Sequence, residues 1–133
     1  MRTFVDTSAL YALLDADDDN HAAAASWFGG PGASATEVLV THSYVVVESA
    51  ALVHHRLGAP AVRDLFDALL PTLAVMFVDA TLHARASAAY LAGLGRRVSF
   101  VDRVSFQLVR DTALDRAFAF DRDFAREGFI VVP

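Results

Sequence analysis

Carboxylates must carry any chemistry in this chain of 133 residues, because most other reactive side chains are missing. Cysteine is absent, and all eleven basic residues are arginine. Without a thiol there is no cysteine nucleophile, iron–sulfur cluster or ordinary structural zinc site. Without an amine there is no P-loop lysine and no Schiff base. The sixteen acids, thirteen of them aspartate, bring the formal charge to −5. Asp6, Glu48, Asp102 and Asp121 stand out by position. A cluster of these four would offer oxygen ligands only, the donors that Mg²⁺ or Mn²⁺ prefer. The matching reaction is phosphodiester hydrolysis, in which one ion acidifies a water and a second, ~3.5–4 Å away, stabilises the leaving oxygen.

The positions of these acids follow from the elements around them. Strand candidates at 2–5, 38–41, 73–78, 116–120 and 129–132 alternate with helix candidates at 7–14, 21–28, 43–57, 60–70, 81–91, 99–110 and 121–126. The apolar run at 73–78, bounded by Pro71 and Asp79, reads as a buried strand. Gly58 ends one helix and Pro60 opens the next. Alternating strands and helices predict an α/β domain over 1–133, with a central parallel sheet of four to five strands and helices on both faces. There is no repeat, linker or low-complexity tail. Composition is 55% hydrophobic, yet no apolar run approaches the ~20 residues of a membrane span and no secretion signal opens the chain. The expectation is a soluble cytoplasmic domain with no membrane partner.

In such a sheet, ligands bind outside the carboxyl ends of the strands. Asp6 ends the first strand, Asp121 follows the Phe118-Ala119-Phe120 run, and Asp102 sits in the first turn of its helix. Each has a plain structural use, since aspartate is a favoured N-cap and complements the helix dipole. Ser99-Phe100-Val101-Asp102 even has the form of a capping box. Glu48 is harder to explain that way. Its helical neighbours are Tyr44, Val45, Ala51 and Leu52, so it should be desolvated and need a cation. An arginine or a bound divalent metal satisfies it equally well.

At these residues the sequence resembles a known family. Phe4-Val5-Asp6-Thr7-Ser8-Ala9-Leu10-Tyr11 is similar to the opening of a PIN domain. Asn20-His21-Ala22, Val45-Val46-Val47-Glu48, Ser99 to Phe106, Ala119 to Phe124 and Gly128-Phe129 follow in family order. The size resembles the single-domain VapC-type toxins of bacterial toxin–antitoxin pairs. The resemblance implies a Mg²⁺-dependent endoribonuclease, with Mn²⁺ as a substitute, acting on structured transfer or ribosomal RNA. It carries the metal to Asp6, Glu48 and Asp102, with Asp121 as the fourth acid and Asp123 as its alternative. Thr7 or Ser8 would orient Asp6 or a water. A homodimer and a VapB-type antitoxin that blocks the groove are also implied.

A net charge of −5 is unhelpful for binding RNA. The arginines must therefore be unevenly placed, with Arg96, Arg97 and Arg103 the best candidates and Arg85, Arg110 and Arg122 behind them. No stacking platform is evident, and the ten phenylalanines read mostly as core. Asp15 to Asn20 has the alternating acids of a calcium loop but lacks its glycine and its final glutamate, so it reads as an acidic turn. Asp18 or Asp19 is a rim candidate at most. His54 and His55 face different directions on a helix and make a poor metal pair, while His21, His42 and His83 read as helix-end or core residues. Two other functions compete: a catalytically silent PIN-like scaffold that binds RNA or protein, and an aspartate-based phosphatase. The first has no use for four mutually repelling acids, and the second normally needs a lysine.

Overall fold

The computed structural model describes the whole chain, Met1–Pro133. Five strands, β1 (Arg2–Val5), β2 (Val38–His42), β3 (Ala74–Met76), β4 (Arg116–Phe118) and β5 (Val131–Val132), form one sheet in the order β3-β2-β1-β4-β5. Every pairing is parallel. Seven α-helices connect them: α1 (Thr7–Leu14), α2 (His21–Gly29), α3 (Ser43–Leu57), α4 (Ala59–Asp64), α5 (Ala80–Ala92), α6 (Phe100–Asp111) and α7 (Arg122–Arg126). No helix is long and apolar enough to cross a membrane.

Successive side chains of a strand point to opposite faces. In β1, Thr3, Phe4 and Val5 are all buried, so both faces of the central strand are covered. Phe4, Phe118, Phe106 and Phe124 pack with Leu10 and Val45 in one core. Thr41 fixes β2 to β1 by donating its hydroxyl to the Val5 carbonyl at 2.8 Å. His42 caps α3 by accepting from the Val45 amide through Nδ1, and its Nε2 meets the Ser105 hydroxyl at 2.8 Å. That hydroxyl donates to the Val101 carbonyl, so Nε2 must carry the proton. Burial pushes the imidazole down from 6.5 to about 4, and His42 therefore acts as a neutral internal brace between α3 and α6.

Three expectations need correction. The segment at 73–78 is not a buried strand. β3 is a three-residue edge strand with Ala74 and Met76 exposed, and Phe77 beyond it is 84% exposed. It pairs only with β2, and an apolar run reads alike for an interior strand and for an edge. The helix opened by Pro60 is α only to Asp64. It then widens into a π-turn over Leu65–Leu69 and tightens to a 3-10 turn over Leu70–Thr72, because Pro71 has no amide to continue the ladder. β4 stops at Phe118 rather than Phe120, since the Phe120 amide donates to the Ser8 hydroxyl at 3.0 Å.

Candidate active site

The strand order reverses between β1 and β4: the chain moves from β1 outward through β2 to β3, then returns to the other side of β1. That switch point is where an open parallel sheet leaves a crevice at its carboxyl edge. Asp6 follows β1 there and Asp121 follows β4 by three residues. A cleft of about 350 Å³ opens between them. Asp6, Glu48, Asp102, Asp121 and Asp123 all line it, together with Thr7, Ser8, Leu52, Arg97 and Ser99.

Local chemistry holds each acid in place. Asp6 caps α1: its Oδ2 accepts from the Ser8 amide at 3.1 Å and from the Ser8 hydroxyl at 2.6 Å. The same hydroxyl accepts from Phe120, so Ser8 links Asp6 to the segment leading to Asp121. Asp121 caps α7 by accepting from the Asp123 amide at 2.9 Å. Asp102 is held through its own amide, which donates to the Ser99 hydroxyl at 3.0 Å. Only this half of the capping box forms. Glu48 stands on the second turn of α3, half-buried, and α3 is tied to α1 by the Ser49 hydroxyl donating to Thr7. No arginine pairs with Glu48, which leaves its charge to the cleft.

Capping and a place on the cleft wall are compatible: Asp6 and Asp121 cap helices and still line the cleft with Glu48 and Asp102. Capping occupies one oxygen of Asp6 and leaves Oδ1 buried with no partner at all. A lone buried acceptor costs ~1–3 kcal/mol. Burial, opposed by the Ser8 bonds and reinforced by the charges of Asp121 and Glu48, pushes Asp6 up from 3.8 to about 6. Burial first, then Asp6, Asp121 and Glu48, push Asp102 from 3.8 to about 8. Carboxyl oxygens of Asp102, Asp121 and Asp123 lie within 4.8 Å of one another. Both members of the Asp121/Asp123 pair thus reach the cleft, although Asp123 also lies 3.5 Å from Arg126. An unpartnered oxygen, an all-carboxylate donor set and mutual repulsion fit a divalent cation.

Of the three arginines singled out for RNA, only Arg97 lines the cleft, and no acid pairs with it. Arg96 lies 3.3 Å from Glu127, and Arg103 is nearly buried, 4.0 Å from the same carboxylate. Glu127 also takes Arg110 at 2.8 Å, and these arginines hold its carboxyl below the usual range. Arg103 thus packs toward Glu127 and does not line the cleft. The acidic turn serves itself: Asp15 accepts from Asp17 and Asp18 from Asn20, and none of these residues lines the cleft. Leu52 and Ser99 line the cleft without having been singled out as site residues. Leu52 was legible as the residue one turn beyond Glu48, and Ser99 as the cap of the helix carrying Asp102.

The family pattern of the PIN domain matches residues 3–130. The chain belongs to the PIN domain family. It is 35% identical over 130 residues to the 23S rRNA-specific endonuclease VapC20 of Mycobacterium tuberculosis, covering 97% of this chain and 96% of that protein. The crystal structure of M. tuberculosis VapC20, described as a sarcin–ricin-loop-cleaving toxin, superposes with a TM-score of 0.87 at 32% identity, covering 98% and 99% of the two chains. FitAcB from Neisseria gonorrhoeae superposes at 0.69 with 15% identity, covering 100% of this chain and 97% of that one. VapBC2 from Rickettsia felis, bound to a DNA fragment of its promoter, gives 0.69 with 13% identity over 98% and 97%. These last two speak for the fold. Family, fold and the acids of the cleft make this chain a PIN-domain nuclease of the VapC type.

Proposed function

We propose that this protein is a toxin that hydrolyses a phosphodiester bond of structured RNA with a divalent cation, Mg²⁺ or Mn²⁺, and is neutralised by a VapB-type antitoxin. The observation that carries the metal is Asp6 Oδ1, a buried acceptor with no protein donor, on a residue that lines a cleft with four further carboxylates. Asp6, Glu48, Asp102 and Asp121 would hold the ion, with Asp123 beside them. Bound there, the cation supplies Lewis-acid stabilisation of charge on the phosphate and a more acidic water. Ser8 occupies Oδ2 of the Asp6 carboxylate and leaves Oδ1 without a protein partner for the ion. Arg97 is the one cation placed to meet an RNA phosphate there. Ribosomal RNA is the first substrate to test, because VapC20 is named for cleaving 23S rRNA.

The acidic cleft is matched electrostatically to a basic segment of an antitoxin. The exposed edge of β3, with Met76 39% and Phe77 84% accessible, offers a surface for a second copy in a homodimer. A cleavage assay on total RNA in the cytoplasmic range of Mg²⁺, and again with Mn²⁺, tests the central reading. Wild type should cut, and Asp6→Asn and Glu48→Gln should not. Equal cutting by wild type and Asp6→Asn would place the chemistry elsewhere.

A further inference from the structure

Beside the cleft lies an aromatic cluster that no role above uses. Phe100, the first residue of α6, is its hub. Its ring centroid is 5.3 Å from His83, 5.6 Å from Tyr90 and 6.0 Å from Tyr44. Tyr44 and His83 meet edge-on, with the Tyr44 hydroxyl 2.6 Å from His83 Nδ1. Three helices contribute: α3, α5 and α6. Above Phe100 is a cavity of about 250 Å³, open to solvent and lined by His83, Ser87, Tyr90, Leu91 and Phe100. That is smaller than the ~300–1,000 Å³ of ordinary ligand pockets, and suits one flat ring system. Its polar groups are mostly engaged. The Ser87 hydroxyl donates to the His83 carbonyl at 2.7 Å, and His83 Nδ1 is held by Tyr44. The other ring nitrogen of His83, Nε2, has no protein partner.

Two connections join this cavity to the carboxylates. Ser99 lines the cleft and the next residue, Phe100, lines the cavity. Tyr44 precedes Glu48 by four residues on α3, one helical turn along the same face. Leu91, 64% exposed, forms an apolar wall on the outer side.

We propose that this cavity is a nucleobase site, in which an unpaired base of the RNA next to the cleaved bond packs among His83, Tyr90 and Phe100, face-on to one ring and edge-on or tilted to the others, since His83 and Tyr90 stand at 85° and 51° to Phe100. The inference rests on the nuclease reading and extends it to what the substrate must present: a base free of its stack. Charge explains why such a site is needed. The chain carries −5, and only one arginine enters the cleft, so counterion release gives little affinity. Stacking does not depend on charge and contributes about 5- to 150-fold per base, equivalent to ~1–3 kcal/mol. His83 Nε2, without a protein partner, supplies one hydrogen-bonding group to a base edge.

The test uses an RNA hairpin carrying 2-aminopurine at one loop position at a time, titrated with the full-length protein in EDTA so that nothing is cut. Wild type should quench the probe at one position far more than at its neighbours. His83→Ala should weaken binding of that RNA by 5-fold or more, and His83→Phe should restore it, since a ring remains to stack. Tyr90→Leu, which keeps apolar volume, should weaken binding in the same direction with an unchanged melting temperature. Quenching at no position, or equal affinity for wild type and His83→Ala, overturns the proposal. So does an effect of His83→Ala confined to dimerisation in sedimentation, which would mean that a second copy covers the cavity. Cleavage is scored separately with Mg²⁺ and Mn²⁺. Wild type that binds and quenches but never cuts defeats the nuclease reading while supporting the base site. Wild type that cuts, with KM unchanged in His83→Ala, defeats the base site alone.

Discussion

Replacing Asp6 with asparagine should make the metal-free protein more stable at pH 8, and should cease to do so near pH 4. The reason lies in where the carboxyl sits. It is 3% exposed, has one oxygen without a partner, and is held near the acids of the same cleft. Its folded value of about 6 lies above the ordinary 3.8. Between those values the folded chain binds more protons than the unfolded one, so stability falls as pH rises through that window. The neutral carboxyl is fully tolerated below about 4, and the cost is complete above about 6. A gap of about two pH units, at ~1.4 kcal/mol each, gives about 3 kcal/mol at pH 8. Asparagine removes that cost but still caps α1, because it can accept from Ser8. Alanine would forfeit the cap, ~1 kcal/mol, and blur the result. Urea unfolding of both proteins in EDTA, from pH 4 to pH 8, measures the difference. His42, whose folded value is lowered to about 4, destabilises both proteins equally as pH falls below 6.5, and so cancels. A variant no more stable than wild type at pH 8, or a gain that is the same at every pH, would refute the reasoning.

Four further outcomes follow from the same geometry. Mg²⁺ at about 100 times its Kd should stabilise wild type by ~2.7 kcal/mol and Glu48→Gln by clearly less; equal shifts in a thermal melt would argue against Glu48 as a ligand. Ser8→Ala, which frees Asp6 to rotate, should weaken metal binding by ~10- to 100-fold in a calorimetric titration while the protein stays folded. Arg97→Ala should lower the slope of log affinity for RNA against log salt by about one, whereas Arg103→Ala should lower the melting temperature and leave that slope alone. Comparing Asp121→Asn with Asp123→Asn in the cleavage assay decides the fourth acid. The larger loss is expected for Asp121, because Asp123 is partly neutralised by Arg126.

The sequence made the fold legible wherever a short-range signal punctuates it. Asp6, Ser99 and Asp121 mark helix starts through caps that form as the residue types require. Gly58 ends α3 with a positive φ of 87°, a conformation that favours glycine. Asp6, Asp102 and Asp121 were legible as a set because each follows a strand or lies at the start of a helix, and a parallel sheet gathers those points at one edge, whereas Glu48 was legible from the apolar neighbours around it on α3. Pairings between distant residues were not legible. Nothing local says that Arg103 turns to Glu127 while Arg97, six residues earlier, enters the cleft. Nothing local assembles Tyr44, His83, Tyr90 and Phe100, which come from three helices. An apolar run such as 73–78 cannot report its place in the sheet, since β3 becomes an edge only because the chain returns to the far side of β1.

The most direct test is a crystal of the wild-type protein soaked in Mn²⁺ and measured at the manganese absorption edge. The account predicts an anomalous peak within ~2–2.3 Å of Asp6 Oδ1, with carboxylate oxygens from Glu48, Asp102 or Asp121 completing the coordination. A peak elsewhere on the molecule, or none at millimolar Mn²⁺ with the cleft accessible, would contradict it.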